Sequence, residues 1–368
     1  MRKPCESQLQ LDIGISPQAA SAPLRYDKWI ASSAMQKAIR RGDVVTAQRA
    51  ALTLHQADPR SVWRRLIIIA MEDVGIGSVD AVIETTRLAS DPKLRGRHGG
   101  EDRAIMHVCQ RLAEAVKDRC SDYLISAAAH DPGLESARGA CGSIPVSRRL
   151  ESVADRIRPL PERAVAAWFA SGIENGRERR IGAGNFDGLM KVYTDLGAPG
   201  PLLDAVRIAA RKTREPIVIF LPLLWLAVSD ETPTIDNGAM PESTYVNDVP
   251  VYALDGHCRA GRRAIATFRR DNADVAGFLS YYVANFRAAR ALELGVFFAD
   301  AALVTPRLHW RQARLIERLG IDADFTSAKV DPVVGSQLTE LVRQNLDHLN
   351  AIRANILAHY QRGEREAP

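Results

Sequence analysis

Residues 61–78, SVWRRLIIIAMEDVGIGS, contain a run that is apolar on every side of a helix, LIIIAM at 66–71. Such a helix cannot lie on a surface. It must be surrounded by other helices, which makes it the centre of a bundle. The run ends on Glu72 and Asp73, two acids at the helix terminus where the macrodipole is already negative, a mismatch of up to about 1 kcal/mol. Four residues upstream stand Ile68 and Ile69, so no local cation offsets them. Their partner has to come from another helix or from N–H groups opening the next one. Gly75 and Gly77 then allow a left-handed turn and close helix approach. Two adjacent carboxylates on a helix point about 100° apart, poor geometry for a shared ion. Glu72, Asp73 and Gly75 therefore read as a structural turn.

The rest of the chain agrees with a helical protein. Aromatics are 6% of 368 residues, while Ala, Leu, Ile and Arg are abundant, which favours helices over a sheet. Asp27 is suited to cap a helix running to Arg41, Gly42 to stop it, Asp43 to cap 44–56, and Asp58-Pro59 to start a third helix. Helical periodicity continues at about 79–90, 102–118, 120–130, 146–157, 161–172, 186–196 and 200–213. The segment 217–228 is apolar but too short to span a bilayer and contains Pro222. A Pro-, Asp- and Thr-rich break covers 229–250, followed by helical patterns at 259–268, 274–298 and 306–319 and a short extended piece near 249–254. A long amphipathic helix is expected over 332–362, with Leu338, Leu341, Asn345, Leu349, Ile352 and Ile356 along one stripe. No alternating set is large enough for a central sheet. The expected fold is all-α, a multi-helix bundle: an arm at 1–26, a helical domain at 27–228, a linker at 229–250 and a C-terminal helical region at 251–368.

At MQKAIRRGDVVTAQRAALTL and RRLIIIAMEDVGIGSVDAV the chain resembles the C-terminal helical, collar-like region of the RarA/MgsA clade of clamp-loader-like AAA+ ATPases. The matching residues are Arg64, Arg65, Leu66, Ala70, Glu72, Asp73, Val74 and Gly75, and the likeness covers roughly residues 30–90. No G-x-x-x-x-G-K-[ST] loop and no Walker-B-type strand occur, so the ATPase engine of that family is missing. The resemblance implies a non-catalytic, oligomerising adaptor associated with DNA replication or repair, without a cofactor.

Net charge is +5, with 49 bases among 44 acids. That permits contact with DNA without demanding it. Basic pairs recur, among them Arg40-Arg41, Arg64-Arg65, Arg179-Arg180, Arg262-Arg263 and Arg269-Arg270. Lys37, Arg40, Arg41, Arg64 and Arg65 are the expected nucleic-acid contacts, provided their helices leave them at the surface. Asp255, His257, Arg259, Arg262 and Arg263 form a second polar cluster suited to an anion, or to a cap with a hydrogen-bonded histidine. An enzyme alternative rests on His130-Asp131 with His107 upstream, the pattern of an HD-type metal phosphohydrolase, with Asp155, Asp187 or Asp204 as the fourth ligand. Pro132 directly after the pair argues for a helix end instead. A protein–protein scaffold without nucleic acid is the third reading. Five cysteines without CxxC spacing and an N-terminus without an apolar core point to a cytoplasmic protein with neither disulfides nor a metal centre. No membrane segment is expected, and the stripe holding Asn345 could serve as a homo-oligomer seam.

Overall fold

A computed structural model describes residues 24, 26–174 and 181–360. The expected arm at 1–26, the pair Arg179-Arg180 and the end of the chain fall wholly or largely outside them. The first helices follow their local signals. In α1 (Lys28–Arg41) the Asp27 carboxylate accepts from the N–H groups of Trp29 and Ile30, and Gly42 ends the helix in the left-handed region at φ 75°. Asp43 caps α2 (Val44–Ala57) through the Thr46 N–H, and Pro59 opens α3 (Pro59–Ile69). Helix α3 then widens into a π turn, Ala70–Val74, followed by a tight turn at Gly75–Ser78.

The chain continues through α4 (Val79–Ser90), α5 (Pro92–Arg97), α6 (Glu101–Glu114), α7 (Cys120–His130), α8 (Glu135–Ser143), α9 (Val146–Ala154) and α10 (Leu160–Ser171). Then come α11 (Phe186–Asp195), α12 (Gly200–Thr213) and α13 (Phe220–Val228). Beyond the break lie α14 (Arg259–Asp271), α15 (Ala273–Tyr282), α16 (Asn285–Val296), a second π turn at Phe297–Ala301, α17 (Ala313–Ser327), α18 (Pro332–Gln344) and α19 (Leu346–Ala358). Among the described residues, strands are confined to two small antiparallel pairs. Thr234–Asp236 lies against Arg307–His309, and Tyr245–Val246 against Val249–Pro250. The fold is all-α, and no described helix is long and apolar enough to cross a membrane.

Three expectations are corrected. The helix expected over 274–298 is broken at 283–284 into α15 and α16. The pattern at 306–319 begins as a strand, because the Lys117 N–H and C=O pair with the backbone of Pro306 and Leu308. The long terminal helix is interrupted at Asn345, whose side chain turns back to the Leu341 carbonyl at 3.0 Å and accepts from Asn272 at 2.9 Å. Its apolar stripe is consumed within the chain: Leu338 and Leu349 are fully buried, α18 packs on α16, and α19 packs on α14. That stripe is not a free oligomer seam.

Packing ties the two sides of the 229–250 break together. Helix α17 lies along α7, and α1 contacts the turn at Val251–Ala253. One buried apolar cluster runs from Leu24 to Leu357. Residues 66, 67, 69, 70 and 71 are all at 0% exposure, so α3 occupies the interior that its all-round apolar surface demands.

Candidate functional site

Asp73 is wholly buried, and its charge is met from two directions. Arg40 Nε on α1 lies 2.7 Å from Asp73 Oδ1, and Arg119 Nε, just before α7, lies 3.1 Å from the same oxygen. Arg40 also reaches Glu72 at 2.8 Å, and Arg119 also pairs with Asp122. Gln36 Nε2 donates to Asp73 at 2.8 Å and to Glu72 at 3.2 Å. The two guanidiniums continue to the second π turn: Arg40 donates to the Ala301 carbonyl at 2.7 Å, Arg119 to the Ala302 carbonyl at 3.1 Å. Both stack near the Phe297 ring, at 5.6 and 5.4 Å. Two π turns distant in sequence are thereby joined by two arginines. Such turns recur at functional sites because the extra residue re-aims side chains that an α-helix would hold in register.

The turn after Asp73 depends on glycine. Gly75 has φ 52°, and a Cβ there would lie 2.5 Å from the Asp118 carbonyl oxygen; a Cβ on Gly77 would collide with the Val116 carbonyl. The close approach of the extended segment 116–118 is what delivers Arg119 to Asp73.

Beside this network lies a cavity of about 540 Å³ between α1, α3, α7, α16 and the 255–257 loop. Half-exposed Trp29 and the largely exposed His257 side chain mark its rim. On one wall Lys37 is buried, with Nζ 2.6 Å from Asp255 Oδ2 and 2.6 Å from Ser33 Oγ. Asp255 also accepts from the His257 backbone N–H and faces its Nδ1, each at 3.0 Å. Burial acts to raise the Asp255 pKa, but Lys37 and His257 outweigh it and hold the carboxyl well below the usual range. On the opposite wall burial, together with neighbouring carboxylates, raises the pKa values of Glu72 and Asp122.

The five basic residues expected at a nucleic-acid surface are dispersed by the fold. Lys37 and Arg40 are 3% and 2% exposed and neutralised by carboxylates. Arg41 pairs with buried Asp300 and stacks over Tyr252 at 4.4 Å. Arg65 is half-buried and donates to Gln36. Arg64 alone is well exposed, and it lies 2.6 Å from Glu215. As a common contact surface the set is therefore corrected: buried ion pairs cannot reach a phosphate without leaving carboxylates unpaired.

The cluster at 255–263 divides. Asp255 and His257 belong to the cavity, and the cap of α14 is the Cys258 sulfur, which accepts from Gly261 N–H at 3.3 Å. Arg259, Arg262 and Arg263 point outward and are exposed. His107 is engaged with Glu84 at 2.7 Å, and Asp131 accepts from the Gly133 N–H in a turn after α7. Asp155 pairs with Arg158 and Asp187 with Arg207. Among the described residues no three or more His, Cys, Asp or Glu side chains are arranged to hold an ion, so the HD-type constellation is not assembled.

No family model, no curated protein and no solved structure matches this chain.

Sequence reasoning missed Arg119, Asp122 and Asp300, which carry no local motif. It also missed the character of the α14–α16 face. Helix α14 holds Arg259, Arg262, Arg263, Arg269 and Arg270 within thirteen residues. Arg262, Arg269 and Arg270 border a groove of about 300 Å³ lined by Ile265 and Leu292. Arg269 donates to Asn285 Oδ1 at 2.7 Å, fixing α14 against the start of α16. At that same corner Tyr281, Tyr282 and Phe286 are 81%, 53% and 82% exposed. The signal was available: basic residues at i, i+3, i+4 with an aromatic cluster close behind.

Proposed function

We propose that this protein is a helical adaptor that associates with single-stranded nucleic acid through the α14–α16 face. The observation that carries the reading is the juxtaposition of five arginines on α14 with three exposed aromatic rings at the α15–α16 corner. Arginines along a groove suit a phosphate backbone, and exposed rings suit the bases, since stacking contributes about 1–3 kcal/mol per base regardless of sequence. Large aromatics left this exposed on an ordinary surface would be a liability. The collar-like 64–75 segment supports the same assignment, with its own role being to hold the bundle together.

Fluorescence anisotropy of a labelled single-stranded oligonucleotide, titrated across salt, tests the proposal. Affinity should fall steeply with salt, by a log–log slope of about −0.7 per phosphate contacted. Arg262→Glu with Arg270→Glu should weaken binding more than tenfold and flatten that slope, while Arg64→Glu should leave both unchanged. Binding that is absent at low salt, or indifferent to the α14 variants, would refute it.

A further inference from the structure

The groove between α14 and α16 holds a residue that phosphate binding does not call for. Its floor is aliphatic, with Ile265 and Leu292 at 3% and 0% exposure. Among the described side chains lining it, Arg262, Arg269 and Arg270 can only donate hydrogen bonds, and Glu293 alone accepts them. A carboxylate set among arginines repels a phosphate backbone, so charge attraction does not account for it. Two of the arginines are committed, Arg269 to Asn285 and Arg270 to Asp271 through contacts of 2.7 and 3.1 Å. Arg262 makes one bond, from Nη1 to the Gly256 carbonyl at 3.2 Å. Gly256 also abuts Glu293, since a Cβ there would lie 3.5 Å from Glu293 Cγ. That glycine therefore brings Arg262 and Glu293 to the same end of the groove. Glu293 keeps capacity to spare: Oε2 lies 3.4 Å from the exposed Arg290, and Oε1 accepts no hydrogen bond from a described residue.

We propose that this groove takes one base unstacked from a bound single strand, and that the base it prefers is guanine. At about 300 Å³ the groove stands at the small end of the range for ligand sites, a size for one base and not for a stack. Guanine alone among the common bases presents two adjacent donors, N1–H and N2–H, which a carboxylate accepts together. Beside them stand O6 and N7, two acceptors that suit a guanidinium. Glu293 takes the donor pair and Arg262 the acceptor pair, while Ile265 and Leu292 cover one face of the ring. The inference rests on the single-strand reading of this face and adds a choice of base to it. The exposed rings at the α15–α16 corner need no particular base.

Fluorescence anisotropy of the full-length protein with short labelled oligo-thymidine strands, varied at one central base and held at low salt, tests it. The guanine probe should bind at least about fivefold more tightly than the adenine, cytosine and all-thymine probes. A hypoxanthine probe, which lacks the 2-amino group, should lose most of that gain. Glu293→Gln should bring the guanine and thymine probes to equal affinity. A ratio taken within one variant cancels the general effect of removing a negative charge, and a Glu293 that served only to hold Arg290 would leave the ratio where it was. Equal affinity for every probe, or a guanine preference that survives in Glu293→Gln, overturns the guanine site and leaves the single-strand reading standing. Failure of all probes to bind at low salt overturns both.

Discussion

Arg40 and Arg41 look in the sequence like a basic helix end facing solvent, because cations suit the last turn of a helix. Their actual partners, Asp73 and Asp300, lie 33 and 259 residues away. Lys117 is a different case at the same scale. It is fully buried, its ammonium donates to the Ala115 carbonyl at 2.7 Å and to that of Ala113, and burial lowers its pKa to about 8. Because the folded value lies below the ordinary lysine value of about 10.4, the fold carries the full penalty of a charged Lys117 at pH below 8. That penalty is relieved as pH rises from about 8 toward 10. Wild-type stability should therefore improve relative to Lys117→Met over that interval, measured by denaturant unfolding at stepped pH. A difference that is flat across it would show that Lys117 is not held in this way.

At the scale of elements, the π turn after α3 and the glycines behind it act as one device. The turn swings Glu72 and Asp73 off the α-helical path, and Gly75 lets the segment 116–118 pass close enough to present Arg119. Gly75→Ala should cost about 1–3 kcal/mol from backbone strain at positive φ, with more from the overlap with Asp118. Thermal unfolding would read this directly, and an unchanged midpoint would mean that the 116–118 segment can shift at no cost. The α14–α16 pair is the opposite kind of element, one whose value lies in what it leaves uncovered. Tyr281→Ala with Phe286→Ala should leave stability nearly unchanged while weakening single-strand binding by about 1–3 kcal/mol per lost stack.

For the whole molecule, the segment 229–250 is a break in composition and not a break in packing. Both the α17–α7 contact and the contact of α1 with Val251–Ala253 cross it, and so do the Arg40 and Arg119 links to the second π turn. Limited proteolysis within the exposed stretch around Thr232–Gly238 should nick the chain, yet leave two fragments that co-elute on size exclusion and separate only in denaturant. Fragments that part under native conditions would show that the two halves hold their folds independently.

What the sequence determined by itself was local. Caps at Asp27, Asp43 and Pro59, the helical class and the interior place of α3 are all set by residues within one or two turns of each other, where propensity and periodicity act. Even the need for a non-local partner to Glu72 and Asp73, a base from another helix or N–H groups opening the next one, was legible, because the macrodipole and the absence of an i−4 cation are local facts. Which base answered was decided only by tertiary structure. So was the fate of the basic pairs: Arg40-Arg41 went inside and Arg262-Arg263 stayed out, although each reads as a charged helix segment. Burial of a charge depends on a carboxylate arriving from another part of the chain, and nothing within a helix's own neighbourhood specifies that arrival.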